Sequence, residues 1–429
     1  MHLNSGKDRI NRAALDQIPP FPKGGIGGLG VKMKVLAINC GSSTLKFQVI
    51  ETEGERKLAS GIVDKIGDTG KTEFIVENGE RTAGDNTLVN HDAATRRVLY
   101  WLKVQGFLEH DGIEAIGHRV VHGGDRFVEP IVITDEVIDV IESLSDLAPL
   151  HNKPSLKAIR AARAVLGPRM PMVATFDTAF HRTMPDQASQ YAIPLELAQE
   201  HKIRRYGFHG LAHRYMAERY AEIASKPIGQ VRLITLQLGN GCSATAIEGG
   251  RSVDTSMGFT PLEGLIMGTR CGDIDPSLGG FLADREGINI DEVENLFNKR
   301  SGLLGISGLS HDMRELLKAE SLGNAKASLA IEMFCYRVRK YIGSYLAALG
   351  GADAIIFGGG IGENSAEIRA RICSGMEWCG LIVNAERNNA ATGSEMRISS
   401  DEAKIHAYVI PVDEAVIIAR DTASCLSGP

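Results

Sequence analysis

Hydrophobic and polar positions alternate along residues 36 to 51, LAINCGSSTLKFQVIE, as an apolar run, a break at Gly41-Ser42-Ser43-Thr44, and a second run through Leu45, Phe47 and Val49. The pattern predicts a β-hairpin whose turn is built from small polar residues. Residues 233 to 250, LITLQLGNGCSATAIEGG, repeat it: strand, Gly-Asn-Gly-Cys-Ser turn, strand. Roughly two hundred residues separate the two, which predicts duplicated halves. A third segment, ADAIIFGGGIGENSAEIRARI from 352 to 372, reads as a buried strand, a glycine turn and a helix opening near Glu363 or Asn364. IEAIG at 113 to 117 and TEFIV at 72 to 76 read as further strands.

Glycine turns of this kind let the backbone approach a ligand, and their amides converge on anions. Two small-polar hairpin turns facing each other across a cleft, with a Gly-rich turn beyond, suit a nucleotide held by its phosphates. Two other glycine patterns do not. Gly25-x-Gly27-x-x-Gly30 spells a dinucleotide fingerprint, but a strand follows it where a helix is required. Gly67-Asp68-Thr69-Gly70-Lys71-Thr72 ends like a P-loop, but Lys65 stands where the motif needs its first glycine, so it reads as a hairpin turn.

Composition narrows the function class. The 429 residues, 43% hydrophobic and 23% charged, suit a globular chain of several domains. A net charge of −6 argues against a nucleic-acid partner, and no apolar run is long enough to span a bilayer. Seven scattered cysteines without a C-x-x-C pair read as reduced thiols, so a cytoplasmic location is expected. Residues 1 to 32 read as a flexible extension.

Polar residues gather in GHRVVHGGDRF (117 to 127), PLHNKPS (149 to 155), VATFDTAFH (173 to 181), RRYGFHGLAHRY (204 to 215) and MGFTPLEGLIMGTRCGDIDPS (257 to 277). Arg119, Arg270, histidines and Asp177 together make a set suited to moving a highly charged phosphoryl group.

NCGSSTLKF, GHRVVHGG, APLHN, FDTAFH, YGFHG, LGNG, SVDTSMGFTPLEGLIMGTR, GGGIGEN and VIPVDEA, taken together, resemble the acetate and propionate kinase family of the acetate and sugar kinase/Hsp70/actin superfamily, from Met33 onward. The resemblance implies an α/β fold of two duplicated ribonuclease-H-like (actin-like ATPase) domains with a nucleotide cleft between them. It divides the chain into 33 to 177, 178 to 414, and a segment 415 to 429 that returns to the first domain. It implies transfer from ATP to acetate, giving ADP and acetyl phosphate, with magnesium or substituting manganese, in a homodimer without nucleic-acid or membrane partners. Propionate or another short carboxylate, or an ATPase module of the actin and Hsp70 kind with no carboxylate substrate, are the alternatives.

By the same resemblance Asn39 and Glu414 hold the metal. Ser42, Thr44 and Lys46 form the first phosphate loop, and Gln237, Leu238, Gly239, Asn240 and Gly241 the second. Asp312, Met313 and Arg314 flank adenine and ribose with Gly360, Ile361, Gly362, Glu363 and Asn364. Asp177 matches the catalytic acid, while Arg119, His209 and Arg270 bind and stabilise the transferred group. Val121, Leu150, Phe208 and Pro261 surround the substrate methyl. The chain departs from the family at Gln237 (usually His), at Leu211-Ala212 (usually Thr-Ser) and at Asp413-Glu414-Ala415 (usually Asn-Glu-Glu).

Overall fold

The computed structural model describes residues 32–146 and 152–428. The extension before Lys32, with its Gly25-x-Gly27-x-x-Gly30, and the substrate-pocket candidate Leu150 lie outside them.

Two mixed sheets carry the chain. The first is built from β1 (Lys34–Cys40), β2 (Leu45–Glu51), β3 (Arg56–Val63), β4 (Gly70–Val76), β5 (Arg81–Asn86), β6 (Ala115–Val120), β7 (Ile131–Val132) and β8 (Met172–Phe176), in the order β5-β4-β3-β2-β1-β6-β8-β7. The second contains β9 (Arg232–Leu238), β10 (Cys242–Glu248), β11 (Arg251–Thr255), β12 (Ala354–Gly358), β13 (Met396–Arg397) and β14 (His406–Val409), in the order β11-β10-β9-β12-β14-β13.

The two orders share one plan. In each sheet an antiparallel meander, of five strands in the first and three in the second, is joined through its first strand to two parallel strands: β1 to β6 to β8, and β9 to β12 to β14. The fold is thus α/β with duplicated halves, as the repeated hairpins imply.

Strands in the middle of each sheet are buried on both faces, which is why they read as unbroken apolar runs rather than alternating ones. The helices His91–Val104 and Asn152–Leu166 contribute Val98, Leu102 and Ile159 to the core under the first sheet. Its other face takes the last helix, Glu414–Ser427, which packs on β1, β6 and β8. Gly117 makes that contact close: a Cβ there would sit 2.4 Å from both Ile418 Cγ2 and Thr422 Oγ1.

One boundary differs from the sequence reading. The glycine segment is already helical from Gly359 to Asn364, and Ser365 then caps a second helix, Ala366–Cys373. Gly359 permits the sharp entry because it sits at φ +75° against β9, where a Cβ would come within 2.7 Å of the Leu238 carbonyl oxygen.

Four imidazoles, His118, His122, His181 and His213, are almost wholly buried. Burial holds His118 at about 3, His122 and His181 at about 4, and His213 well below the ordinary value near 6.5. A folded value below the unfolded one leaves stability intact above pH 6.5 and removes it as pH falls toward 4, because the unfolded chain binds the extra protons. Each group contributes a slope of about 1.4 kcal/mol per pH unit in that window. Unfolding at pH 5 is therefore expected to take up about three to four protons at these imidazoles, with a steep fall in melting temperature. Calorimetry from pH 7.5 to 5 checks this, and a flat melting temperature would refute it.

Candidate active site

The chemistry-bearing side chains collect at the ends of equivalent strands. Asn39 lies near the end of β1 and Arg119 near the end of β6, and the two are register partners across the parallel pair. Asp177 follows β8 directly and opens a one-turn helix, Asp177–Phe180. Parallel strands side by side deliver their C-terminal residues to one edge, the usual place for an α/β site.

Arg119 organises this edge. Its Nε donates to Asp177 Oδ1 at 2.8 Å, Nη2 to Asp177 Oδ2 at 2.5 Å, and Nη1 to Asn39 Oδ1 at 2.9 Å. Asn39 Nδ2 in turn donates to Glu414 Oε2 at 2.6 Å, and that oxygen lies 3.9 Å from Arg119 Nη1. Burial opposes the charge on Arg119, but the carboxylates of Asp177 and Glu414 outweigh it and raise its pKa. Burial also raises the Glu414 carboxyl, with Arg119 acting against it. Two carboxylates thus share one guanidinium. Among the described residues the bonds to Asp177 and Asn39 use three of the five N–H groups of Arg119 and leave one on each terminal nitrogen.

His209 approaches from the second half. Its backbone N–H donates to Asp177 Oδ2 at 3.3 Å, and its φ of +56° turns the chain into the helix Gly210–Ile223. A left-handed conformation at a non-glycine residue is uncommon and costs energy, so the surrounding contacts must hold it. Gly210 allows the approach, since a Cβ there would be 1.9 Å from the Asp177 carbonyl oxygen.

The turn between β9 and β10 completes the arrangement. A Cβ on Gly241 would lie 3.4 Å from His209 Nε2 and 3.8 Å from Arg270 Nη1, so imidazole and guanidinium both border this turn. Arg270 Nη1 donates to the Pro261 carbonyl at 3.3 Å, and burial lowers the Arg270 pKa. Among the described residues no carboxylate lies within ion-pair distance of it. A desolvated cation in that state favours an incoming anion. Asn240 is tied to the same loop through its carbonyl, which accepts Gly268 N–H at 3.0 Å.

The remaining loops meet unequally. In the first hairpin Gly41 N–H donates to the Thr44 carbonyl at 2.9 Å, and His91 Nε2 lies 2.8 Å from the Gly41 carbonyl, so Ser42 and Thr44 sit on a braced turn. Lys46 is opposite Asn39 across the hairpin. Among the described residues Gln237 Oε1 is buried without a hydrogen-bond partner, 3.4 Å from where a Gly358 Cβ would lie, placing it between the second hairpin and the glycine segment. Leu238 and Gly239 lead into that hairpin, and Gly360, Ile361, Gly362 and Asn364 form the short helix beside it. Val121 and Phe208 are buried in one apolar cluster, and Pro261 is half-buried with its carbonyl on Arg270.

Four of the residues matched to the nucleotide site make contacts within the chain itself. Glu363 Oε1 accepts Gly359 N–H at 2.8 Å and Val412 N–H at 3.0 Å, so this carboxylate ties the glycine segment to the loop before Glu414. Met313 buries its side chain in the core. Asp312 caps the helix Met313–Ser321 and pairs with the exposed Arg314. Among the described residues no hydrogen bond or ion pair joins this pair to the Arg119 cluster. Sequence reasoning passed over Ser243, which lies behind His209. Its only signal was its place in the Gly-Asn-Gly-Cys-Ser turn.

Comparison with known proteins agrees with this architecture. The Acetokinase family profile matches residues 34–420. An acetate kinase of Solibacter usitatus is 51% identical over 411 residues, covering 92% of this chain and 99% of that protein. The crystal structure of Porphyromonas gingivalis acetate kinase superposes with a TM-score of 0.85 at 42% identity, over 92% of this chain and 100% of that one. A propionate kinase from Francisella tularensis superposes equally, TM-score 0.85 at 39% identity, over 91% and 98%.

Proposed function

The chain belongs to the Acetokinase family, and from that premise we propose that it transfers the γ-phosphoryl group of ATP reversibly to acetate. One carboxylate oxygen attacks the phosphorus in line, the bond to the β-phosphate oxygen breaks, and acetyl phosphate and ADP leave. A carboxylate is already a nucleophile, so the work falls to positioning and charge neutralisation rather than to a strong base. The observation that carries the reading is the meeting of the Arg119–Asp177 pair with His209 and Arg270 at one edge.

In this reading the free N–H groups of Arg119 bind the acetate carboxylate, and Asp177 holds that guanidinium in place. Arg270 and His209 bind and stabilise the transferred oxygens. The turns at Ser42–Thr44 and Gly239–Gly241, with Lys46 and Gln237, cradle the ATP phosphates. The segment 360 to 364 and Asp312 to Arg314 take adenine and ribose, Met313 through its backbone.

A magnesium ion fits the oxygen donors of Asn39 and Glu414, because magnesium uses few protein oxygens and keeps water and phosphate for the rest. The buried Glu414 carboxylate, sharing one guanidinium with Asp177, supports a second cation there. When bound, the metal neutralises phosphate charge, and manganese would serve similarly. We assign 33 to 177 with 415 to 429 as one domain and 178 to 414 as the other. A homodimer is supported by the exposed Leu329, Met333 and Tyr336 along the helix Ala325–Leu349. The seven free thiols suit a cytoplasmic enzyme.

Hydroxylamine trapping of acetate-dependent acyl phosphate tests the activity, and ATP turnover without acetate dependence would overturn it. Val121, beside Phe208, is expected to crowd an ethyl group. Acetate should exceed propionate in kcat/KM by about 10 to 200-fold, the value of one methylene in an apolar pocket. Val121→Ala should narrow that gap by improving propionate. Unchanged selectivity would return Val121 to a packing role.

A further inference from the structure

Behind His209 runs a chain of polar side chains that the transfer itself does not use. His209 Nδ1 lies 2.9 Å from Ser243 Oγ, and the same hydroxyl lies 2.7 Å from His213 Nε2. His213 Nδ1 lies 2.7 Å from Thr235 Oγ1. Ser243, His213 and Thr235 are fully buried. The geometry is local in origin: His209 and His213 are four residues apart, on one face of the helix they begin, and Thr235 and Ser243 stand on the paired strands β9 and β10.

The protons in this chain can be placed by accounting for donors. Burial, with His181 and His209 nearby, keeps His213 neutral, so its ring carries one N–H. Were that hydrogen on Nδ1, Thr235 would accept it, and its own hydroxyl proton would need another acceptor. Among the described residues Thr235 Oγ1 makes no second side-chain hydrogen bond. A stranded buried hydroxyl is costly, so the reverse direction is favoured. We infer that Thr235 donates to His213 Nδ1, His213 Nε2–H donates to Ser243, and Ser243 donates to His209 Nδ1, which sets His209 as the neutral tautomer with its hydrogen on Nε2.

Ser243 is then a positioning residue. It turns His209 Nε2–H toward Gly241, where Arg270 Nη1 also points. The imidazole supplies a hydrogen bond without a second positive charge beside a guanidinium already short of solvent. This inference rests on the proposal that His209 faces the transferred group.

The test is the imidazole nitrogen spectrum of the full-length protein at pH 7.5, with the His209 signals identified by their loss in His209→Gln. The expected result is a protonated Nε2 and a bare Nδ1 at His209. Ser243→Ala should give mixed tautomers and a kcat lower by about 10 to 100-fold, the usual effect of removing a residue that orients a functional histidine. KM for ATP and acetate should stay nearly unchanged, and Ser243→Thr should recover part of the loss. A His209 that carries its hydrogen on Nδ1, or is an imidazolium, would overturn the inference from the unmodified protein alone. Normal turnover by His209→Gln would instead remove His209 from the transferred group while leaving the tautomer result standing.

Discussion

Asp177→Asn is expected to lower kcat by about 10³, the upper range for losing one electrostatic group of an active site, and to destabilise the fold as well. Asp177 is fully buried, and its two oxygens receive Nε and Nη2 of Arg119 and the backbone N–H of His209. Asparagine keeps the shape but offers one acceptor and turns an NH₂ toward the guanidinium. Arg119 would then keep only Glu414, 3.9 Å away, as a charged partner. Breaking one side of a buried pair costs about 3 to 5 kcal/mol. Arg119 would rotate toward Glu414, away from the acetate it is proposed to bind. Steady-state kinetics with urea unfolding checks both effects, and wild-type kcat in a stably folded variant would refute the role.

Arg270 should behave in the opposite way toward stability. Arg270→Lys is expected to lower kcat by about 10² to 10³, because Nη1 is spent on the Pro261 carbonyl beside the Gly241 turn and an ammonium lacks the guanidinium's further planar donors for an anion there. The half-buried guanidinium has no carboxylate within ion-pair distance among the described residues, and desolvation lowers its pKa. Its charge therefore costs the empty protein stability, and Arg270→Met should melt at the same or a higher temperature while losing activity. That opposition is the signature of a group kept for a ligand rather than for the fold. Wild-type kcat in Arg270→Lys, or a large loss of stability in Arg270→Met, would refute it.

Much of the architecture was readable from local patterns. Both hairpins show in the sequence because a strand followed by small polar residues and another strand needs no distant information. The duplicated plan shows because that signal occurs twice. The start of the glycine helix was misplaced by several residues, since three successive glycines carry almost no helix signal of their own. There the backbone of Leu238 on a neighbouring strand settles the matter.

The site divides along the same line. Its members were named from motif resemblance, and their chemistry as single residues was evident. Glu363 reads as a nucleotide contact in the motif, yet its carboxylate is occupied by Gly359 and Val412 N–H groups, the second 49 residues away. Asp312 lies in a matching motif, but its bonds go to Arg314 beside it.

The sequence by itself determined the two strand-turn-strand units, the kinds of side chain at hand and the small, polar, glycine-rich character of the turns. These follow from residue size, polarity and spacing within a few positions. Only the tertiary structure decided that Asn39 and Glu414, 375 residues apart, share a hydrogen bond, that Arg119 spends its fork on Asp177, and that a buried serine stands between two histidines. Hydrogen bonds and ion pairs act over about 3 to 4 Å, and which groups come that close depends on how the two sheets and the returning helix pack, which no stretch of chain specifies alone.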